Sequence, residues 1–439
     1  MNRLVRIRTF LFFIIAFSLP ELAGAQLSAP GSGFTEETSY TATQGTDSIY
    51  IFCSEENVNA GELTVHTNLS GTKTFTWERF DKNTIQFEPY FSEDSDNPAS
   101  TITDLADGCY RVTITKGDTT EVYRAWVLND WYTASTEVSE SNCDYFQLNG
   151  SFNSAQLAYY DLSDTSQIEL LKNIQVEWDQ GATPVSQINN PQIDNPPTRN
   201  TDYTYKVSDR FGCGTESTVT YQSIVTKASF TVDGNFNSGN QQGEAPLDVT
   251  FTNTSENGTP GQFEWFFFRD INQIKQESAN SNQPIDSIMF VAYDDNVVYT
   301  YENTGTYMVK LVSKNVSAEH TCTDTFYMKD YIVTDSSYFE VPNVFTPNGD
   351  GTNDDFVVKF WSMQNVKITI VNRWGRTVHS WQKSNVQGFE GTWAESVWDG
   401  KIGGRDASPG VYYYVAEGLG RDGQKRWAHG FFHLFRGKN

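Results

Sequence analysis

Residues able to do acid–base or metal chemistry are plentiful in this chain, but few stand in a reactive spacing. The five histidines, His66, His320, His379, His429 and His433, are scattered. His429 and His433 are four apart, which joins two ligands on a helix but leaves them about 13 Å apart along one face of a strand. No Gly-x-Ser-x-Gly elbow, His-Glu-x-x-His pair or phosphate-cradling glycine loop occurs. With 55 carboxylates in the chain, number alone singles out no acid/base pair. The expectation is a protein with no catalytic residues and no cofactor. One loop carries a metal-like pattern: Thr346, Asn348 and Asp350 alternate ahead of Gly351, with Asp354 further on. Calcium takes six to eight oxygens, carboxylates among them. Thr346 stands where the first carboxylate belongs and Val357 where the closing glutamate belongs. The loop therefore reads as a tight turn, with a calcium site at Asn348, Asp350 and Asp354 as the alternative.

The elements that would position such residues are strands. A turn residue followed by alternating aromatic and β-branched positions recurs at Gly108-Cys109-Tyr110-Arg111-Val112 and Asp202-Tyr203-Thr204-Tyr205-Lys206-Val207. It returns at Gly305-Thr306-Tyr307-Met308-Val309-Lys310-Leu311 and Gly410-Val411-Tyr412-Tyr413-Tyr414-Val415. Alternation of period two marks a half-buried strand. The tyrosines at 110, 203, 307 and 412 are spaced by 93, 104 and 105 residues, and a period near 100 suits a β-sandwich domain. The fold class is all-β, in tandem modules at 46–130, 131–227, 228–337 and 338–439. Residues 26–45, small and polar, read as a flexible leader. Ile168–Ile174 reads as a short helix, Asn189–Pro197 as a loop, and Asp335-Ser336-Ser337 as the joint before the last module.

The compartment follows from the start of the chain. Arg3, Arg6 and Arg8 precede an apolar run from Phe10 to Leu19, and Ala23-Gly24-Ala25 supplies small residues for cleavage. This is a secretory signal peptide over 1–25, too short in its apolar part to span a bilayer. Charge is unevenly spread. The signal region carries net +2, and residues 338–439, with 12 Lys/Arg and 10 Asp/Glu, also carry +2. Residues 26–337 therefore hold −28 of the total −24. A body that acidic repels nucleic acid and anionic membranes.

Export permits disulfides. Cys53 and Cys109 flank Trp77, and Cys143 and Cys213 flank Trp178. That order resembles an immunoglobulin-like sandwich, in which tryptophan packs on an inter-sheet disulfide. The resemblance implies bridges Cys53–Cys109 and Cys143–Cys213, leaving Cys322 as a free thiol. The third module resembles a PKD domain. Ala245-Pro246-Leu247-Asp248-Val249-Thr250-Phe251 looks like its opening strand, Phe263-Glu264-Trp265 like its tryptophan strand, and Tyr299 through Leu311 like its final hairpin. It departs at Phe266-Phe267-Phe268-Arg269-Asp270, where that family turns.

The last hundred residues hold the most specific signal. Val344-Phe345-Thr346-Pro347-Asn348-Gly349-Asp350-Gly351-Thr352-Asn353-Asp354 opens the module, and Asn372-Arg373-Trp374-Gly375 follows. Trp398-Asp399-Gly400-Lys401, then Gly410-Val411-Tyr412 and the closing Gly430–Arg436 complete it. In this order they resemble the gliding motility-associated C-terminal domain, a sorting signal of the type IX secretion system. The resemblance implies a β-sandwich sorting domain, passage across both membranes to the cell surface, and two partners: the outer-membrane translocon and an associated outer-membrane protein. It names the domain's role without assigning which side chains touch the translocon. The favoured function is a surface protein whose acidic modules serve adhesion, motility or assembly with other surface proteins. The alternatives are a glycan-binding surface protein, using tryptophan and tyrosine platforms, and a secreted hydrolase.

Overall fold

The computed structural model describes residues 26–236, 241–386 and 395–437. The expected signal peptide at 1–25 lies outside the described residues. The chain is all-β, with sheets packed face to face over buried cores, and the one helix among the described residues is Ile271–Asn280. Two compact units partition it. Among the described residues, the first holds those up to Ser139 with Gln147–Gln192 and Asp202–Tyr221; the second holds Glu140–Phe146, Ile193–Thr201 and those from Gln222 onward.

In the first unit, alternation along each strand feeds two cores. Strands Gln26–Ser28, Gly61–His66 and Ala99–Leu105 form one sheet. Leu63, Val65, Ile102 and Leu105 from it meet Phe75, Trp77, Tyr110, Val112, Ile114 and Val127 from the larger sheet opposite. The other face of that larger sheet is also buried, because Ile49, Ile51, Trp126 and Leu128 pack with Leu157, Tyr159 and Phe211. Strand Gly108–Lys116 shows the division: Tyr110 enters the first core and its neighbour Cys109 the second. Strand Thr119–Ser141 runs unbroken through the expected boundary at 130/131.

In the second unit, Leu247, Val249 and Phe251 alternate inward along Leu247–Asn253 and face Phe263, Trp265 and Phe267 of Phe263–Phe268. The tryptophan strand leads into the helix, with Asp270 capping the N–H of Asn272 at 3.3 Å. The last sandwich sets Tyr338–Glu340, Phe356–Trp361 and Glu395–Trp398 against a sheet ordered Val344–Phe345, Lys425–Leu434, Gly410–Gly420, Met363–Asn372 and Thr377–Val386.

Two devices recur. Trp77, Trp178, Trp265 and Trp398 are fully buried, and each indole N–H has an acceptor: Ser100 Oγ at 3.0 Å, Asn189 O at 3.1 Å, Asp294 O at 2.8 Å and Lys401 O at 2.8 Å. Truncating such a tryptophan to alanine costs about 3–5 kcal/mol. The hydroxyls of Tyr110, Tyr307 and Tyr412 each donate to the carbonyl four residues upstream, on Ala106, Asn303 and Ser408, at 2.9 Å. This is the tyrosine corner of immunoglobulin-like domains.

Three expectations are corrected. Residues 26–45 are not a flexible leader: Gln26–Ser28 pairs with Gly61–His66, and Phe34–Glu37 with Ser48–Ser54. Their polar groups are bonded rather than solvated, since the buried Asp161 carboxylate accepts from the backbone of Thr41 and Ala42. The stretch Ile168–Ile174 is not a helix. Gln167–Glu169 pairs with Ala158–Tyr160, and Ile168 and Leu170 share one face, the spacing of a strand.

The third correction concerns the cysteines. The bridges are Cys53–Cys213 and Cys143–Cys322, and Cys109 is a free, buried thiol. Strands Ser48–Ser54 and Gly108–Lys116 flank Thr119–Ser141 on opposite sides, with Cys53 level with Asp130 and Cys109 level with Trp126. That places Cys53 and Cys109 about 10 Å apart sideways and about 13 Å apart lengthwise, beyond the 7 Å a disulfide tolerates between Cα atoms. Cys213 takes Cys53 as its partner, so Cys143 pairs instead with Cys322 on strand Thr321–Tyr327. Burial pushes the Cys109 thiol pKa up, the reverse of what a nucleophile needs.

Candidate docking surface on the C-terminal module

Most motif residues of the last module are consumed in holding it together. In the opening turn, Asp354 Oδ1 accepts the N–H groups of Asn348 and Gly349 at 2.9 and 2.6 Å, and Oδ2 accepts that of Gly351 at 2.7 Å. Those backbone donors, Gly349 first, lower its pKa. Asn348 Oδ1 accepts from Asp350 N, and Asp350 Oδ1 from Thr352 N. Gly349 and Gly351 have φ of 80° and 83°, and Asn353 has φ of 55°. Asp350 Oδ2 accepts from the Asn348 side-chain amide at 2.9 Å, so the turn is knitted by its own side chains and backbone.

The other motifs behave alike. Asn372 Oδ1 accepts from Trp374 N and Arg376 N, closing the hairpin at Gly375. Asp399 Oδ1 accepts from Lys401 N. Trp398 lies among Phe345, Tyr412 and Phe432. Gly410 leaves room for Arg373, whose Nη2 a Cβ there would meet at 3.1 Å. Arg436 ties three motifs at once, donating to Pro347 O, Gly400 O and Ala407 O at 3.0, 2.9 and 3.2 Å.

What remains outward is aromatic. Trp374, at the hairpin tip, is 84% exposed. Along Lys425–Leu434 the outward positions are Lys425, Trp427, His429, Phe431 and His433, and Phe435 continues the series. Tyr413 and Val415 stand opposite Phe431 and His429 on the neighbouring strand and are also exposed. Trp427 and His429 rings lie 4.4 Å apart, and His433 stacks on Phe435 at 5.5 Å. His429 and His433 share this face, as strand geometry requires. Beside Trp427 a shallow cavity is lined by Lys367, Lys383, Glu417, Lys425 and Arg426.

Sequence reasoning named Trp374 and placed Tyr413 and Phe431 in motif strands, but it passed over Trp427 and assigned none of them to an exposed face. The signal was there: in Trp427-x-His429-x-Phe431-x-His433-x-Phe435 every outward position is a ring. It was read only as a strand because burial, not sequence, tells which face of a sheet is uncovered.

Residues 339–434 match the sequence profile of the CHU_C Type IX secretion signal domain. That signal directs export to the cell surface or extracellular space and engages the type IX secretion machinery. No helix among the described residues is long and apolar enough to cross a membrane. Comparison with curated proteins gave no significant match. Solved structures with similar folds include a four-repeat stretch from the extending region of a large adhesion protein, at 10% identity over 86% of this chain and 96% of that one, with a TM-score of 0.27. A three-domain immunoglobulin fragment of titin gives 10% identity over 63% and 94%, TM-score 0.29. A Ca2+-stabilised adhesin with which an Antarctic bacterium binds ice gives 12% identity over 92% and 99%, TM-score 0.24.

Proposed function

We propose that this protein is type IX cargo whose last sandwich docks on the outer-membrane secretion machinery through its uncovered aromatic face, and whose acidic sandwiches then work outside the cell in adhesion or surface assembly. One observation carries the docking: most motif residues that define the module are spent on its own turns and core, while the motif residue Trp374 and, with it, Tyr413, Trp427 and Phe431 are left in solvent. Exposed rings of this kind are favoured anchors of protein interfaces. The module's +2 charge against the −28 of residues 26–337 also suits a docking surface distinct from the displayed body. The body's acidity and its repeated sandwiches support a binding role rather than a catalytic one.

Expression of Trp374→Ala and of a Trp427→Ala/Phe431→Ala double variant in the native host tests this. Both should fold with unchanged melting temperature, yet accumulate inside the envelope with at least a several-fold loss at the surface. Normal surface levels for both variants would remove this face from the docking surface. The glycan-binding reading draws on the same exposed rings, and a glycan array with the purified chain separates the two.

A further inference from the structure

The first unit buries the charged side chains of Asp130 and Lys172 beside a half-buried Asp209, a grouping that no strand pattern announces. Asp130, on strand Thr119–Ser141, is fully buried, and Lys172 is 8% exposed. Lys172 Nζ lies 2.5 Å from Asp130 Oδ1. It also donates to Ala155 O at 3.0 Å and sits 3.9 Å from the Tyr132 ring centre. The amine is thereby pinned against the carboxyl group. Asp130 Oδ2 receives no hydrogen bond from any N–H or hydroxyl. A carboxyl oxygen of Asp209 comes within 4.8 Å of one of Asp130, in a cluster that also contains Cys213. Asp209 is itself fixed, accepting from Tyr132 Oη at 2.8 Å and from the N–H groups of Phe211 and Cys213 at 2.9 and 3.1 Å. Because the Cys213 sulfur is committed to Cys53, the cluster is a poor metal site.

We propose that Lys172 and Asp130 condense into an intramolecular amide bond, with Asp209 as the proton relay. A plain ion pair fits this setting badly. Two acids and one base leave net negative charge around a fully buried Asp130, with Asp209 only half-buried beside it, and burying ions without full compensation is costly. Condensation removes two of the three charges. A 2.5 Å contact from Nζ to the carboxyl oxygen brings the carboxyl carbon to near-attack range, about 3–3.5 Å. Burial, and secondly the Asp209 carboxyl, raise the Asp130 pKa against the opposing effect of Lys172. The acid is thereby biased toward its neutral, electrophilic form while a neighbouring carboxylate can take the amine's proton.

The step balances. The Lys172 ammonium first passes one proton to the Asp130 carboxylate it touches, leaving a neutral amine and a neutral acid. Nζ then attacks Asp130 Cγ, and as the C–N bond and tetrahedral centre form, the second proton leaves nitrogen for Asp209. Asp209 returns the proton to the departing hydroxyl, the C–O bond breaks, and one water leaves. No oxidant or second reagent is needed. The product keeps one N–H, still directed at Ala155 O, and a neutral amide carbonyl beside Asp209.

Intact-mass measurement of the purified full chain tests this, combined with peptide mapping. The expected mass is that of the sequence with its disulfides closed, less one water, with the loss confined to a branched peptide joining Asp130 to Lys172. Lys172→Arg keeps a cation but should regain the full mass. Asp209→Asn, which keeps both reacting groups, should regain it wholly or in large part. An unmodified Asp130 and an unmodified Lys172 in folded wild-type protein would overturn the proposal whatever the variants do. A branched peptide that persists undiminished in folded Asp209→Asn would overturn the relay.

Discussion

Replacing Asp161 with asparagine preserves shape but exchanges one acceptor oxygen for a donor. In the native structure Asp161 is fully buried. Its Oδ2 accepts from Thr41 N at 2.8 Å and Ala42 N at 2.7 Å, and its Oδ1 from Thr43 Oγ1 at 2.5 Å and Ser163 Oγ at 2.8 Å. With its N–H groups on the Oδ1 side, asparagine lets the Thr43 and Ser163 hydroxyls turn and accept, but it faces the Thr43 and Ser163 backbone N–H groups, which Oδ1 accepts at 3.1 Å, with donors. Two charge-assisted bonds are lost outright and the rest become neutral. With hydrogen bonds to charged groups worth about 1.5–3 kcal/mol each, the cost is about 3–5 kcal/mol. The pH dependence follows too. Burial alone would raise the Asp161 pKa, but the Thr43, Ala42 and Ser163 donors outweigh it and depress the carboxyl well below its usual range. A depressed pKa gives stability that is present above the unfolded value of about 4 and is lost as pH falls below it. Asp161→Asn should therefore flatten the acid limb of the stability curve as well as lower its plateau. Urea unfolding followed by tryptophan fluorescence at several pH values measures both, and limited proteolysis reports whether residues 39–47 come loose. A plateau loss under about 1 kcal/mol, with the wild-type acid limb retained, would refute the reasoning.

Deleting residues 338–439 should leave the remaining chain within the cell envelope, and cell fractionation shows it; normal surface display would contradict the export signal. Tyr307→Phe and Tyr412→Phe should each cost about 1 kcal/mol in chemical denaturation, because each removes one corner hydrogen bond without changing the packing. Gly349→Ala should cost about 1 kcal/mol for its positive φ alone. Gly400→Ala should cost more in the same assay, since its Cβ would also meet Phe345 and Pro347 at 3.0 Å; equal costs would show that the Phe345 contact yields freely.

The strand-forming repeats were legible because alternation is a local property: the strands around Tyr110, Tyr203, Tyr307 and Tyr412 all form where the pattern places them. The departure at Asp270 was legible as well, and a helix occupies it. The cysteine partners were not, because pairing depends on register and strand order, which spacing does not encode. The same holds for Asp130, Lys172 and Asp209, brought together by three separate loops and strands. The polar run Thr41–Thr43 looked disordered because the acceptor that orders it, Asp161, lies 118–120 residues away. On the C-terminal module, motif residues could be named but not sorted into buried and exposed. Trp398 and Trp374 look equivalent in sequence, yet one is core and the other is in solvent.

The interleaving of the two bridges also sets how the chain bears a mechanical load. Cys143 lies inside the loop closed by Cys53–Cys213, while its partner Cys322 lies outside it. Tension applied between the two ends crosses at Cys53 and need not pass through the 160 residues up to Cys213 in their native direction. At full extension, about 3.3–3.6 Å per residue, that single crossing withholds on the order of 500 Å of contour. Because Cys143 ties that loop to Cys322, the load between the bridges falls first on residues 143–213, the shortest of the three segments that join them, and the segment around Trp77 is left slack. A surface protein tugged by flow or by a bound partner would stretch little until a reductant opened the crossing, and its reach would be set by redox conditions as much as by force.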